Sequence, residues 1–94
     1  MMLPFSFTYT VSPTEVRQRA ERLEAEAGFL PWYDWSGFID DAGAELLEEL
    51  RREGKRLDIR EHEIKLDGFV AADGMQFTCS FISETDRVLF RLAV

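Results

Sequence analysis

Two helix-patterned segments follow one another with no strand between them, and the strand-patterned segments lie before and after the pair. That order constrains the fold more than any other feature. Strands alternating with helices build a parallel sheet, whereas a run of helices and a run of strands imply α+β with a mainly antiparallel sheet. Ninety-four residues give one domain, 1–94, with no room for a second.

The clearest strand is Phe5-Ser6-Phe7-Thr8-Tyr9-Thr10-Val11, where aromatic or branched residues alternate with hydroxyls. Ser12-Pro13-Thr14-Glu15 then has the grammar of a helix start: an N-cap, a proline at the first position and a capping-box glutamate. Val16, Ala20, Leu23 and Ala27 form a narrow apolar seam, Glu15 and Arg19 an i,i+4 pair, and Gly28 a stop. The first helix is therefore expected over 13–27.

The second is expected to be capped by Ser36, to begin near Gly37 and to end at Gly54. Ile39, Ala42, Gly43, Leu46, Leu47 and Leu50 make its apolar arc; Asp41, Glu45, Glu48 and Arg52 lie opposite. From Arg56 to Leu66 the pattern reads as one long strand with a bulge near 60–63. Asp67-Gly68 and Asp73-Gly74 are turn dipeptides, and Asp73-Gly74 is favoured as the hairpin. Gln76 to Ile82 and Val88 to Val94 read as further strands, joined by Ser83-Glu84-Thr85-Asp86. The expected order is β-α-α-β-β-β, with two helices on one face of a four-stranded sheet. The N-terminal strand would join the meander, beside the C-terminal strand or another neighbour, since the hydrophobic pattern leaves the sheet order open. Ser6, Thr8, Thr10, Thr78 and Ser80 would face water.

The linker between the helices is the unusual segment. Connections normally run over the wet surface and are small and polar. Phe29-Leu30-Pro31-Trp32-Tyr33-Asp34-Trp35-Ser36-Gly37-Phe38 instead holds both tryptophans and one of two tyrosines. Either these rings close the open end of a small core, or Trp32, Tyr33 and Trp35 anchor an interface.

Charge adds a second feature. The net charge is −7, and residues 34–53 hold seven carboxylates against Arg51 and Arg52. Asp41, Glu45, Glu48 and Glu49 could meet a basic protein surface, or simply keep a helix face solvated. Direct nucleic-acid binding needs clustered cations that this balance does not supply. No apolar run is long enough to span a membrane, and the N-terminal residues lack a signal peptide's basic start. A single cysteine, Cys79, forms no internal disulfide and fits a reducing cytoplasm. Arginine outnumbers lysine nine to two, a hint of a GC-rich genome, and size and layout suit a small bacterial or phage-encoded domain.

No catalytic constellation stands out. In Glu61-His62-Glu63 a strand would set the imidazole opposite both carboxylates, so no metal is expected. Cys79 alternates with Phe77 and Phe81 and reads as a buried hydrophobe. There is no glycine-rich phosphate loop or zinc spacing, so no cofactor is expected. The expected function is thus a small acidic non-catalytic protein-binding module. It would be of the inhibitor or immunity type and engage a basic surface on a larger protein, with Trp32, Tyr33, Trp35, Asp41, Glu45, Glu48 and Glu49 as the contact residues. The alternatives are a homodimer formed through the aromatic segment and a small-molecule pocket roofed by residues 29–38.

Overall fold

Strand β1 (Phe5–Val11) and helix α1 (Pro13–Ala27) form where the sequence places them. They are seen in a computed structural model that describes residues 3–28, 31–71 and 74–94. The Ser12 side chain accepts a hydrogen bond from the Glu15 amide at 3.2 Å, and Gly28, at φ 75°, ends α1. After the linker come α2 (Trp35–Arg56), a short 3₁₀ turn (Glu61–Glu63), β2 (Ile64–Ala71), β3 (Gly74–Phe81) and α3 (Glu84–Ala93). The class is α+β, with three helices and a three-stranded antiparallel sheet among the described residues.

The sheet order is β1-β3-β2, which corrects the expected four-stranded arrangement. β1 pairs with β3, not with the C-terminal segment, and runs from Phe5 opposite Phe81 to Val11 opposite Met75. The C-terminal segment is helical. Ser83, read as part of a loop, accepts from the Asp86 amide at 3.4 Å, and Glu84 and Asp86 favour the positive end of the helix. Val88, Phe90, Leu92 and Val94 do alternate, but on a helix that spacing scatters them around the axis. Only Phe90 turns inward, stacking at a tilt on Phe81 with ring centroids 5.3 Å apart.

The segment expected as a long strand from Arg56 is also rebuilt. α2 runs through Gly54 to Arg56, the chain reverses with Asp58 at φ 61°, and β2 starts only at Ile64. The phase change between Leu57/Ile59 and Ile64/Leu66 therefore marks the exit from a helix, not a bulge. Gly54 is a buried interior position, and a Cβ there would lie 3.5 Å from Ile64 and 3.8 Å from Phe90. Asp67-Gly68 is neither turn nor bulge: Asp67 pairs in register with Thr78 and Gly68 with Phe77. A Cβ on Gly68 would sit 2.6 Å from the Phe77 ring, so this glycine makes room for an aromatic. Asp73 of the favoured hairpin lies outside the described residues; Gly74 opens β3 opposite Ala71.

All three helices cover one face of the sheet. Met75, Phe77, Cys79 and Phe81 are buried beneath them, while Ser6, Thr8 and Thr10 point to water as expected. On α2 the buried residues are Phe38, Ala42, Leu46, Leu50 and Gly54, an unbroken spacing of four. Each step of four residues advances the buried face by about 40° around the helix. α2 packs along α1 as far as Glu49 and also meets the sheet, with Gly43 against Met75 of β3 and Gly54 against Ile64 of β2 and Phe90 of α3. The slow rotation lets one helix serve both the helical hairpin and the sheet.

Candidate functional site

The connection between α1 and α2 lies at the free tip of the helical hairpin. Asp34, not Ser36, caps α2: its carboxylate accepts from the Gly37 amide at 3.1 Å and from the Ser36 hydroxyl at 2.7 Å. These two bonds, the hydroxyl first, hold the Asp34 carboxyl below its usual range. Helix α2 thereby begins two residues early and takes Trp35 into its first turn.

The aromatics then divide. Phe38 is buried, and Tyr33 packs edge-on against it with centroids 4.7 Å apart and planes at 73°. A Cβ on Gly37 would lie 2.7 Å from the Tyr33 ring, so the ring lies flat on the start of α2. The Tyr33 hydroxyl donates to the Asp41 carboxylate, and that bond raises the phenol's pKa. Tyr33 and Asp41 thus fasten the tip. Trp32 and Trp35 do not: they are 78% and 42% exposed. Phe29 and Leu30 lie outside the described residues.

The acidic face behaves differently from the expectation of free charge. Arg19 of α1 donates to Glu45 at 2.8 Å and to both carboxylate oxygens of Glu49 at 2.9 Å, with Glu15 at 3.5 Å. Arg22 donates to Glu45 and, at 3.0 Å, to Glu26. Arg22 first, then Arg19, hold the Glu45 carboxyl below its usual value, and the Arg19 guanidinium is raised, by Glu49 first and then by Glu45. Glu45 and Glu49 therefore clasp α1 to α2. Glu48 faces away and accepts from Arg51 at 2.8 Å. Of the seven candidate residues, the structure brings Trp32, Tyr33, Trp35 and Asp41 together at the tip and places the three glutamates further along α2.

The acid that remains at the tip comes from Asp41, a candidate from sequence, and from carboxylates that were not singled out. Between Glu24 and Asp41 the chain has five carboxylates and no lysine or arginine. Asp40 and Asp41 are exposed beside the tryptophans. Asp34, Arg19 and Arg22 are the side chains shaping the candidate site that sequence reasoning did not assign to it. The signal for Asp34 was a capping residue three before Gly37; the signal for the arginines was their three-residue spacing on the face of α1 that carries Glu15 and Glu26.

Elsewhere the chemistry is quiet. Cys79 is fully buried, and burial pushes its thiol up to about 11. His62 sits exposed in the 3₁₀ turn, not on a strand, and no cluster of three potential metal ligands occurs among the described residues. No described helix is long and apolar enough to cross a membrane. Two clefts, of about 570 Å³ beside the end of α2 and about 240 Å³ between α2 and the β2–β3 hairpin, are lined by neither Trp32 nor Trp35. No protein-family model matches the chain, and no curated protein or solved structure is significantly similar to it.

Proposed function

We propose that the chain is a small acidic, non-catalytic protein-binding domain of the inhibitor or immunity type, and that the tip of its helical hairpin is the recognition face. One observation carries this reading: Trp32, the more exposed tryptophan at 78%, stands beside Trp35 on a tip held rigid by Tyr33, Phe38 and Asp34. Tryptophan is the residue most enriched among binding hot spots, and a fixed backbone lowers the ordering cost of docking. The surrounding carboxylates, with no cation between Glu24 and Asp41, favour a basic partner surface. They also disfavour two tips meeting each other, which sets the homodimer second. A buried thiol without a disulfide suits the reducing cytoplasm.

Wild-type protein, Trp32→Ala and Trp35→Ala would be used in parallel as affinity baits in lysate of the native host. A protein captured by wild type, lost with either variant and released by salt supports the proposal, provided both variants keep their thermal stability. Equal capture by all three baits excludes the tip as the recognition face.

A further inference from the structure

A chain of net charge −7 still gathers four of its eleven basic side chains around one cleft. Arg51, Lys55, Arg60 and Lys65 line the space of about 570 Å³ between the end of α2, the 57–63 connection and the start of β2. Both lysines of the chain are among them. Asp58 and Glu61 share the rim, so cations outnumber carboxylates two to one there. Arg51 donates to Glu48, and the Lys65 ammonium lies 3.6 Å from Asp67; all four side chains are more than half exposed, so these pairs exchange readily with another anion. Among the described residues Lys55 and Arg60 form no side-chain ion pair with a carboxylate. The C-terminal end of α2 adds little opposing charge to the site. The Glu53, Gly54 and Lys55 carbonyls accept from the Leu57, Ile59 and Asp58 amides, so they are already satisfied.

The floor of the cleft is apolar, made by Ile59, Ile64 and Leu66 beside Gly54. Ile64 and Leu66 belong to β2, and β2 pairs with β3 on one side only among the described residues. Its outer edge therefore presents unpaired backbone donors and acceptors beside an apolar floor and a basic rim. An unpaired edge is a template for another strand.

We propose that this cleft and the free edge of β2 together bind a short acidic peptide segment of a partner protein in extended form. Its backbone adds a strand to β2, an apolar side chain rests on Ile64 and Leu66, and its carboxylates meet Lys55 and Arg60, with Arg51 and Lys65 beyond. The site is separate from the aromatic tip and of opposite charge, so it stands whether or not the tip binds a partner.

The test is a titration of the full, isotope-labelled chain, followed by amide chemical shifts and hydrogen exchange. The probe is a blocked peptide of about eight residues alternating glutamate and valine. Shifts concentrated in residues 51–68, with slowed exchange of β2 amides, support the proposal. Affinity should fall at least about tenfold when salt rises from about 50 to about 300 mM, as expected for several screened charge contacts. A Lys55→Glu, Arg60→Glu double variant should lose binding at unchanged melting temperature; if that variant is destabilised, Lys55→Gln and Arg60→Gln are read singly. Three results overturn the proposal: shifts centred on Trp32 and Trp35 or spread over the surface, equal binding of a lysine–valine peptide, or equal shifts from octanoate alone. Unchanged binding by the charge variants overturns it as well.

Discussion

Gly74 has φ 113°, and a Cβ there would fall 2.0 Å from the Val11 carbonyl oxygen and 2.8 Å from the Ser12 carbonyl carbon. Both obstacles are backbone, which no rotamer can relieve. Gly74→Ala should therefore cost about 3 kcal/mol or more in urea denaturation, at the upper end of single substitutions. Gly28, at φ 75° and ψ −158°, has nothing within 4 Å of the same atom, but that backbone region is essentially confined to glycine, so Gly28→Ala should cost about 2–3 kcal/mol through conformation alone. Two glycines that both end or begin an element thus resist substitution for different reasons, conformation alone at Gly28 and a backbone collision at Gly74, and sequence could not tell them apart. The Asp-Gly dipeptides show why. Asp67-Gly68 and Asp73-Gly74 look alike as text, yet Gly68 provides space for a ring and Gly74 a backbone conformation. Alternation did find Cys79: at pH 8 its buried thiol, with pKa near 11, should resist a thiol reagent in native protein and react fully in urea.

Helix α3 carries the main lesson at the scale of elements. Its grammar, Ser83 followed by Glu84 and Asp86, is the same kind of signal that placed α1 correctly at Ser12. There Pro13 excluded a strand ladder; here the alternation of Val88, Phe90, Leu92 and Val94 competed, and a seven-residue, mostly apolar stretch does not settle the period. The competition was resolved by packing. β3 already has β1 and β2 on its two edges, and the Phe7, Phe81 and Phe90 rings form a cluster that needs only one inward residue from the last segment. Substitutions separate the two arrangements. Phe90→Ala should cost about 3–5 kcal/mol and Ser83→Ala about 1 kcal/mol. Leu92 is 80% exposed, so Leu92→Glu should change stability by no more than about 0.5 kcal/mol. In a C-terminal strand Leu92 would share the inner face with Phe90, and the same change would be among the most damaging.

At the scale of the molecule, the candidate site was half legible. Composition located the aromatic tip, since two tryptophans in one linker are rare enough to notice. It could not show that Glu45 and Glu49 are occupied, because that depends on the register of α1 against α2, which brings Arg19 and Arg22 within reach. The clasp has a pH signature. Glu45 is held below its ordinary 4.5, so its contribution is present above that value and lost as pH falls through the lower, folded one. The pair is solvent-screened, so the loss should be below about 1 kcal/mol; denaturation of wild type and Glu45→Gln should differ at pH 7 and converge as pH falls well below 4.5. Trp32→Ala should leave stability within about 0.5 kcal/mol of wild type. The length of α2 has one more consequence. Twenty-two helical residues span about 33 Å within a molecule 45 Å long. Screening in physiological salt extends about 8 Å. The acidic tip and the basic cleft are therefore electrically independent, and the helix acts as a strut of fixed length. On the two proposals above, a ligand at one end would leave the other free, and one copy would hold two dissimilar molecules at a set spacing.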